Sequence, residues 1–251
     1  MQRLFMSFVA AIALLAGSAQ AQLLYHTSFE TPNYHVGQTI DGVDNWFSFI
    51  SPDANEIVNG HSTASWFGRR ALSCWGGSPN LESTQGLLDG AWAHPASVNP
   101  AYGNHVLVQV SCDVRLDGPD TGTGPNDDLL SANLIARNGV GGSASMYLSS
   151  VGEVFCFADS AAGSVGYAFS TPVTLGQYAH LSITLNYRTH IATFWVNFRA
   201  VGSAPFGGQA GEAFNGAILE FAAYDNLAYI DPSLYRGYWD NLTMFALPIW
   251  W

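Results

Sequence analysis

The chain has 251 residues, which is long enough for one large domain or two small ones with a substantial core. Hydrophobic residues make up 48% of the sequence and charged residues only 11%, a composition that argues against a disordered chain. The eight basic residues are all arginines, and 19 carboxylates bring the net charge to −11. Because no basic run can neutralise phosphates, the sequence argues against nucleic-acid binding and against binding to an anionic membrane surface.

Residues 1–21 predict a secretory signal peptide. Arg3 supplies the positive charge, residues 4–15 form an apolar run, and the small residues Ala19 and Ala21 precede Gln22. The apolar run is too short to span a bilayer, and no later segment resembles a transmembrane helix. The sequence therefore predicts cleavage after Ala21, a secreted, extracellular or periplasmic location, and a mature chain with no membrane span. The alternative is an uncleaved anchor.

Three cysteines, Cys74, Cys112 and Cys156, would then meet an oxidising compartment. An odd number allows at most one internal disulfide, and the apolar surroundings favour buried thiols. A bridge between Cys112 and Cys156 requires that their strands be neighbours. No Cys/His spacing typical of zinc sites occurs.

Alternation of apolar and polar residues dominates the chain after residue 21. Residues 106–116 place Val, Cys and Leu side chains on one face and Gln109, Ser111, Asp113 and Arg115 on the other. Two further alternating runs, 181–187 and 191–198, are joined by a short polar link and predict a β-hairpin. Weaker patterns predict strands at 24–29, 129–136, 144–148, 153–158, 217–223 and 238–245.

Helical periodicity is nearly absent, and residues 225–234 hold the one segment that suggests a short helical turn. No internal repeat or long linker divides the chain. The pattern therefore predicts an all-β fold: a single domain over 22–251, built as a two-sheet antiparallel jelly-roll sandwich with little helix.

Three segments carry a resemblance to a known family. The first contains Phe29, Glu30, Tyr34, Gly37 and Trp46; the second is the hairpin 178–201; the third is the closing segment 237–244, with Asp240 and Asn241. Together they resemble the concanavalin-A-like and laminin-G-like jelly-roll domains of secreted bacterial proteins. Phe198 departs from the family pattern, since a glycine usually follows the asparagine of that hairpin.

The resemblance implies a structural calcium that joins the first and last strands, with Glu30 and Asp240 at the matching positions. Calcium takes oxygen ligands from carboxylates and backbone carbonyls, so two carboxylates and turn carbonyls would suffice. The alternative is that Glu30 and Asp240 are strand-end groups hydrogen-bonded to the backbone. The oxygen-rich loop 117–128 allows the same two interpretations, a cation contact or a solvated loop.

The resemblance also implies that the concave sheet face forms a carbohydrate cleft. Gln109, Asp113 and Arg115 would then hydrogen-bond sugar hydroxyls, with a solvated outer face as the alternative. Trp75 and Trp92 stand beside Gly76-Gly77 and His94-Pro95, which indicate exposed loops, so they are the candidate sugar platforms; packing in the core is the alternative for any tryptophan.

Three functions follow. The first is a secreted non-catalytic module that binds carbohydrate or serves an extracellular structural role. The second is a polysaccharide-active hydrolase or lyase whose catalytic residues are dispersed; the sequence contains neither a paired-carboxylate motif nor the complete Arg, Gln-x-His and Tyr motifs of lyases of this fold. The third is an adhesive or matrix protein that contacts a cell-surface or matrix component.

Overall fold

The computed structural model describes ten segments of the chain: 21–30, 32–59, 70–84, 87–99, 106–120, 129–138, 143–160, 163–207, 213–224 and 231–249. The predicted signal peptide therefore lies outside the described residues, except for Ala21. Within the described segments, no helix is long and apolar enough to cross a membrane.

Two antiparallel sheets make up the described fold. Sheet A contains eight strands in the order β14-β13-β12-β7-β16-β4-β3, with β1 paired to β16. The bounds of these strands are β1 Gln22–Thr27, β3 Asn55–Asn59, β4 Arg70–Trp75, β7 Val106–Asp117, β12 Ala179–Asn186, β13 Ile191–Val196, β14 Arg199–Pro205 and β16 Arg236–Pro248.

Sheet B also contains eight strands, in the order β11-β10-β9-β8-β15-β6-β2, with β5 paired to β6. The bounds are β2 Phe47–Ile50, β5 Glu82–Thr84, β6 Leu87–Pro95, β8 Leu129–Asn138, β9 Ser143–Ser149, β10 Glu153–Ser160, β11 Gly163–Pro172 and β15 Phe214–Tyr224. The predicted all-β sandwich is thus confirmed, and each sequence-predicted strand overlaps an observed one. The suggested helical turn is a 3-10 turn at Pro232–Leu234.

Period-two alternation builds the core between the sheets. On β7 the side chains of Val106, Val108, Val110, Cys112, Val114 and Leu116 are at most 3% exposed, while the intervening residues face outward. β12 repeats the pattern, and the two strands pair antiparallel with Leu181 opposite Cys112. One face of sheet A is therefore committed to the core, and its other face is available to solvent.

A glycine is required where β15 bends. Gly216 has a φ of +144° beside a bulge in its pairing with β8, and a Cβ there would lie 2.3 Å from the backbone oxygen of His94. Any other side chain would collide with the neighbouring strand β6, so the residue type is fixed by this close approach.

The first family-like segment forms a buried aromatic cluster at the start of the domain. Phe29 and Tyr34 meet edge to face with centroids 5.4 Å apart, and Trp46 lies 6.1 Å from Phe29. The Trp46 Nε1–H donates to Tyr34 Oη at 3.1 Å, and Tyr34 Oη donates to Asp44 Oδ2 at 3.2 Å. These motif residues therefore hold the fold together, since their polar ends are satisfied inside the cluster.

The cysteines are all buried and unpaired. The bridge considered for Cys112 and Cys156 does not form, and their strands, β7 in sheet A and β10 in sheet B, are not neighbours. Burial raises the pKa of the Cys156 thiol to about 12, which keeps it protonated and unreactive at neutral pH.

His94 provides a pH-sensitive group in the aromatic cluster. Its ring is 5% exposed, stacks on Tyr25 with centroids 3.5 Å apart, and donates from Nε2 to the backbone oxygen of Asp44 at 2.9 Å. Its Nδ1 is buried with no partner in the described part of the chain. Burial lowers the pKa of His94 below its ordinary value of 6.5.

We expect acid to destabilise the fold through His94. A histidine whose folded pKa is depressed binds more protons when unfolded, so its contribution is complete above the unfolded pKa and is lost as the pH falls below it. Urea unfolding between pH 8 and pH 5 should show a smaller loss of the free energy of unfolding in His94→Gln than in the wild type. Equal slopes for the two proteins would contradict this assignment.

Candidate functional site

The predicted ligand residues of β7 lie together on the solvent side of sheet A. Gln109, Asp113 and Arg115 alternate with the core residues and point to this side, between the neighbouring strands β12 and β16. We call this surface, formed by the outward residues of β7, β12 and β16, the polar face.

Arg115 stands at the centre of a layer of aromatic side chains. Its guanidinium carbon lies 5.3 Å from the centroid of the Tyr238 ring and 6.0 Å from that of Tyr178. Tyr238 is directly opposite Arg115 in the β7–β16 pairing, so the sheet register creates the contact. Arg115 also donates to Asp117 from Nε at 2.5 Å and from Nη2 at 2.7 Å. This paired arginine is therefore held rigidly on the face.

Asp113 connects β12 to β16. His180 Nδ1 donates to Asp113 Oδ1 at 2.7 Å, and Asn241 Nδ2 donates to Asp113 Oδ2 at 2.9 Å. Asn241 has a φ of +53° where the β16 register shifts, so a bulge directs its amide toward β7. Because the carboxylate fixes the Nδ1–H tautomer, His180 Nε2 is the ring's free acceptor.

Gln109 continues the polar face away from this network. Its amide donates to Ser182 Oγ at 2.7 Å across the β7–β12 pairing. Trp195 on β13 lies opposite Ser182, and its indole Nε1–H is buried with no acceptor among the described residues. A buried donor without an acceptor is rare in native proteins, so a water or ligand oxygen is the expected partner.

Both tyrosines of the Arg115 layer stay protonated at neutral pH. Burial raises the pKa of Tyr178, and the nearby Asp240 carboxylate adds to the effect. Burial also raises the pKa of Tyr238, against the opposing charge of Arg236. These phenols can therefore donate hydrogen bonds or a proton, but they cannot serve as phenolate bases without a large cost.

Trp75 lies on β4, beside the polar face, and pairs with Arg236 of β16. Its side chain is 45% exposed, and its Nε1–H donates to the backbone oxygen of Ser233 at 2.9 Å. Beside it lies a cleft of about 270 Å³, whose lining includes Trp75, Glu56 and Asp53. The ring of Trp75, predicted as a sugar platform, is therefore exposed, is held in place by its hydrogen bond, and lies next to polar groups.

Trp92 was expected in an exposed loop, and this is wrong. The residue lies within β6, is 0% exposed, and packs edge to face on Trp239 with centroids 6.1 Å apart. The adjacent His94-Pro95 dipeptide ends a strand and does not mark a loop around Trp92. This ring fills the core and cannot stack on a sugar.

The two predicted calcium residues make backbone hydrogen bonds. Glu30 Oε1 accepts from the Arg70 N–H at 2.7 Å, and Asp240, fully buried, accepts from the Asn241 N–H at 2.8 Å. Among the described residues, no group of three or more His, Cys, Asp or Glu side chains is placed to hold a metal ion. These contacts do not assemble a calcium site, and calcium stays a prediction. Residues 121–128 of the oxygen-rich loop lie outside the described segments.

Sequence reasoning missed His180, Tyr178 and Tyr238 as members of the site. Their positions beside Asp113 and Arg115 depend on the pairing register of β12 and β16 with β7. The available signal was that Tyr178 and His180 belong to the hairpin segment 178–201 and that Tyr238 belongs to the closing segment. Neither signal specifies which residues stand opposite one another.

Comparison with known proteins supports the fold alone. No protein-family model matches the chain, and no curated protein matches it. Among solved structures, the marine alginate lyase from Aplysia kurodai matches with a TM-score of 0.57 and 12% identity, over 88% of this chain and 98% of that one.

Two further structures match at lower similarity. The binding domain of Paraclostridial Mosquitocidal Protein 1 has a TM-score of 0.48 and 12% identity, over 89% of this chain and 48% of that chain, so this chain spans about half of its length. The endo-β-1,4-glucuronan lyase of the fungus Trichoderma reesei has a TM-score of 0.46 and 8% identity, over 88% and 94% of the two chains.

The protein therefore has the concanavalin-A-like fold, a jelly-roll sandwich of two antiparallel sheets. The charged side chains on the polar face of sheet A are partly buried. The side chains of Arg115, Asp113 and His180 are 25%, 17% and 21% exposed.

The two candidate platform tryptophans should differ sharply in their effect on stability. Trp92→Ala leaves a large cavity in the core and should lower the free energy of unfolding by about 3–5 kcal/mol. Trp75→Ala removes a half-exposed ring and one hydrogen bond, and should lower it by about 1 kcal/mol or less. Urea unfolding of both variants measures the difference; similar losses would contradict the assigned burial.

Proposed function

We propose that this protein binds a polysaccharide on the polar face of sheet A after export from the cell. The observation that carries the proposal is the layer in which Arg115 lies between Tyr178 and Tyr238, next to the His180–Asp113–Asn241 network. Partly buried, rigid donors and acceptors beside aromatic rings match the alternating hydroxyls and apolar faces of sugars.

The density of fixed hydrogen-bonding groups supports this proposal. Arg115, His180 and Gln109 are each tied to a neighbouring side chain, so little side-chain entropy would be lost on binding. The unpartnered indole N–H of Trp195 adds a donor that a sugar hydroxyl would satisfy.

A second candidate, a polysaccharide lyase, is favoured by the orientation of His180. Asp113 holds this ring so that Nε2 accepts a proton, as a general base requires. In a β-elimination, His180 would remove the proton on C5 of a uronate, the C4–O bond would break, and the leaving oxygen would take a proton from Tyr178 or Tyr238. Arg115 would face the substrate carboxylate.

Arg115 should control glycan binding without controlling the fold. Arg115→Met keeps much of the side-chain length but removes the charged donors, so affinity for a bound polysaccharide should fall about tenfold or more. A glycan array of the mature chain, with and without chelator, first identifies the polysaccharide and tests the calcium prediction. Titration calorimetry then compares the variant with the wild type.

Arg137→Met is the matched control, because Arg137 lies on sheet B against Phe49, with 4.8 Å between its guanidinium carbon and the ring centroid. Equal affinity of Arg115→Met and the wild type would contradict a site on the polar face. The appearance of unsaturated uronates during incubation with alginate or polygalacturonate, lost in His180→Gln, would establish the lyase instead.

A further inference from the structure

Phe198 is the most exposed large hydrophobic residue among those the structure describes, at 78%. It occupies the two-residue turn between β13 and β14 together with Asn197, and both residues have positive φ, 49° for Asn197 and 65° for Phe198. This is the geometry of a type I′ hairpin turn, for which Asn-Gly is the favoured pair. A phenylalanine in the left-handed region is strained, because its Cβ crowds the backbone.

Neither burial nor turn formation explains this residue. Phe29 also has a positive φ, of 56°, but it is fully buried among the rings of Tyr34 and Trp46, which compensates for its strain. Phe198 gains no comparable burial. A strained residue that the surrounding core does not require is a candidate for a functional role.

The ring of Phe198 is held in a defined orientation. It stacks on His180 with centroids 4.3 Å apart and an interplanar angle of 18°. His180 is itself fixed by Asp113, and the backbone N–H of His180 donates to Asn197 Oδ1 at 3.0 Å. One side of the Phe198 ring therefore covers His180, and the ring stands at the edge of the polar face.

Trp75 gives the face a second exposed ring on its opposite side. The strands from β13 to β4 follow in the order β13-β12-β7-β16-β4, so four strand spacings of about 4.8 Å place β4 roughly 19 Å from β13 across the sheet. Arg115, Asp113 and Tyr238 lie on the strands between them. The two rings thus border a hydrogen-bonding surface long enough for a short oligosaccharide.

The charges of this surface favour an uncharged ligand. Arg115 is paired with Asp117, and Arg236 is paired with Glu56. A polyuronate would have to displace these carboxylates to reach the cations, and it would approach a chain of net charge −11.

We propose that Phe198 is a stacking platform for a pyranose unit of a neutral polysaccharide that lies across the polar face toward Trp75. This inference rests on the proposed carbohydrate-binding function and adds a binding residue and a ligand class. The backbone strain at Phe198 is retained because the exposed ring contributes to ligand binding.

Substitutions of Phe198 test separately how this residue affects the stability of the fold and the binding of a polysaccharide. Phe198→Gly places the favoured residue in the turn, so the Tm should rise by about 2–4 °C, while affinity for a neutral polysaccharide should fall about tenfold. Phe198→Trp should keep the affinity. Phe47→Ala, which removes a 41% exposed ring from sheet B, is the matched control and should leave binding unchanged.

Affinity electrophoresis of the mature chain measures the binding. The neutral probes are soluble galactomannan, xyloglucan, laminarin and hydroxyethyl cellulose, and the charged probes for comparison are alginate and polygalacturonate. Binding of a neutral probe that Phe198→Gly weakens supports the inference. Equal binding by Phe198→Gly, or binding of the polyuronates alone, overturns it and leaves the carbohydrate-binding proposal standing. If Phe198→Gly does not fold, the binding of Phe198→Asn is measured in its place. No binding by the wild type to any probe overturns both proposals.

Discussion

The structure depends on the strict alternation of side chains along β7, at the centre of sheet A. Its inward residues, from Val106 to Leu116, fill the core, and its outward residues form the middle of the polar face. A shift of one residue in its pairing would exchange these two sets and would bury Asp113 and Arg115 in the sandwich. The energy of the core therefore fixes the position of every functional candidate on this strand.

The same pairing explains how the site is assembled from distant parts of the chain. β12 and β16 flank β7, and they bring His180 to Asp113 and Tyr238 to Arg115. Asp117 balances the charge of Arg115 and Glu56 that of Arg236, so these two partly buried guanidinium groups do not stand as isolated charges. The result is a preorganised surface, and preorganisation reduces the cost of ligand binding.

The sequence predicted the fold well and the site in part, for physical reasons that differ between residues. The alternation of β7 was unbroken, so Gln109, Asp113 and Arg115 were correctly placed together on one face. The strands from β2 to β6, together with β11 and β14, were not predicted; β2 and β5 are only four and three residues long, and Gly90 interrupts the pattern of β6. Trp92 was misplaced because a dipeptide typical of loops follows it within the last residues of β6. The roles of Tyr178 and His180 depend on strand register, which a single sequence does not specify.

A direct measurement of where a sugar binds would decide the account. The measurement is a nuclear magnetic resonance titration of the mature chain with an oligosaccharide fragment of the polysaccharide that the protein binds. The backbone amides whose chemical shifts change should cluster on β7, β12 and β16. Perturbations confined to sheet B, or spread evenly over both sheets, would contradict a binding site on the polar face.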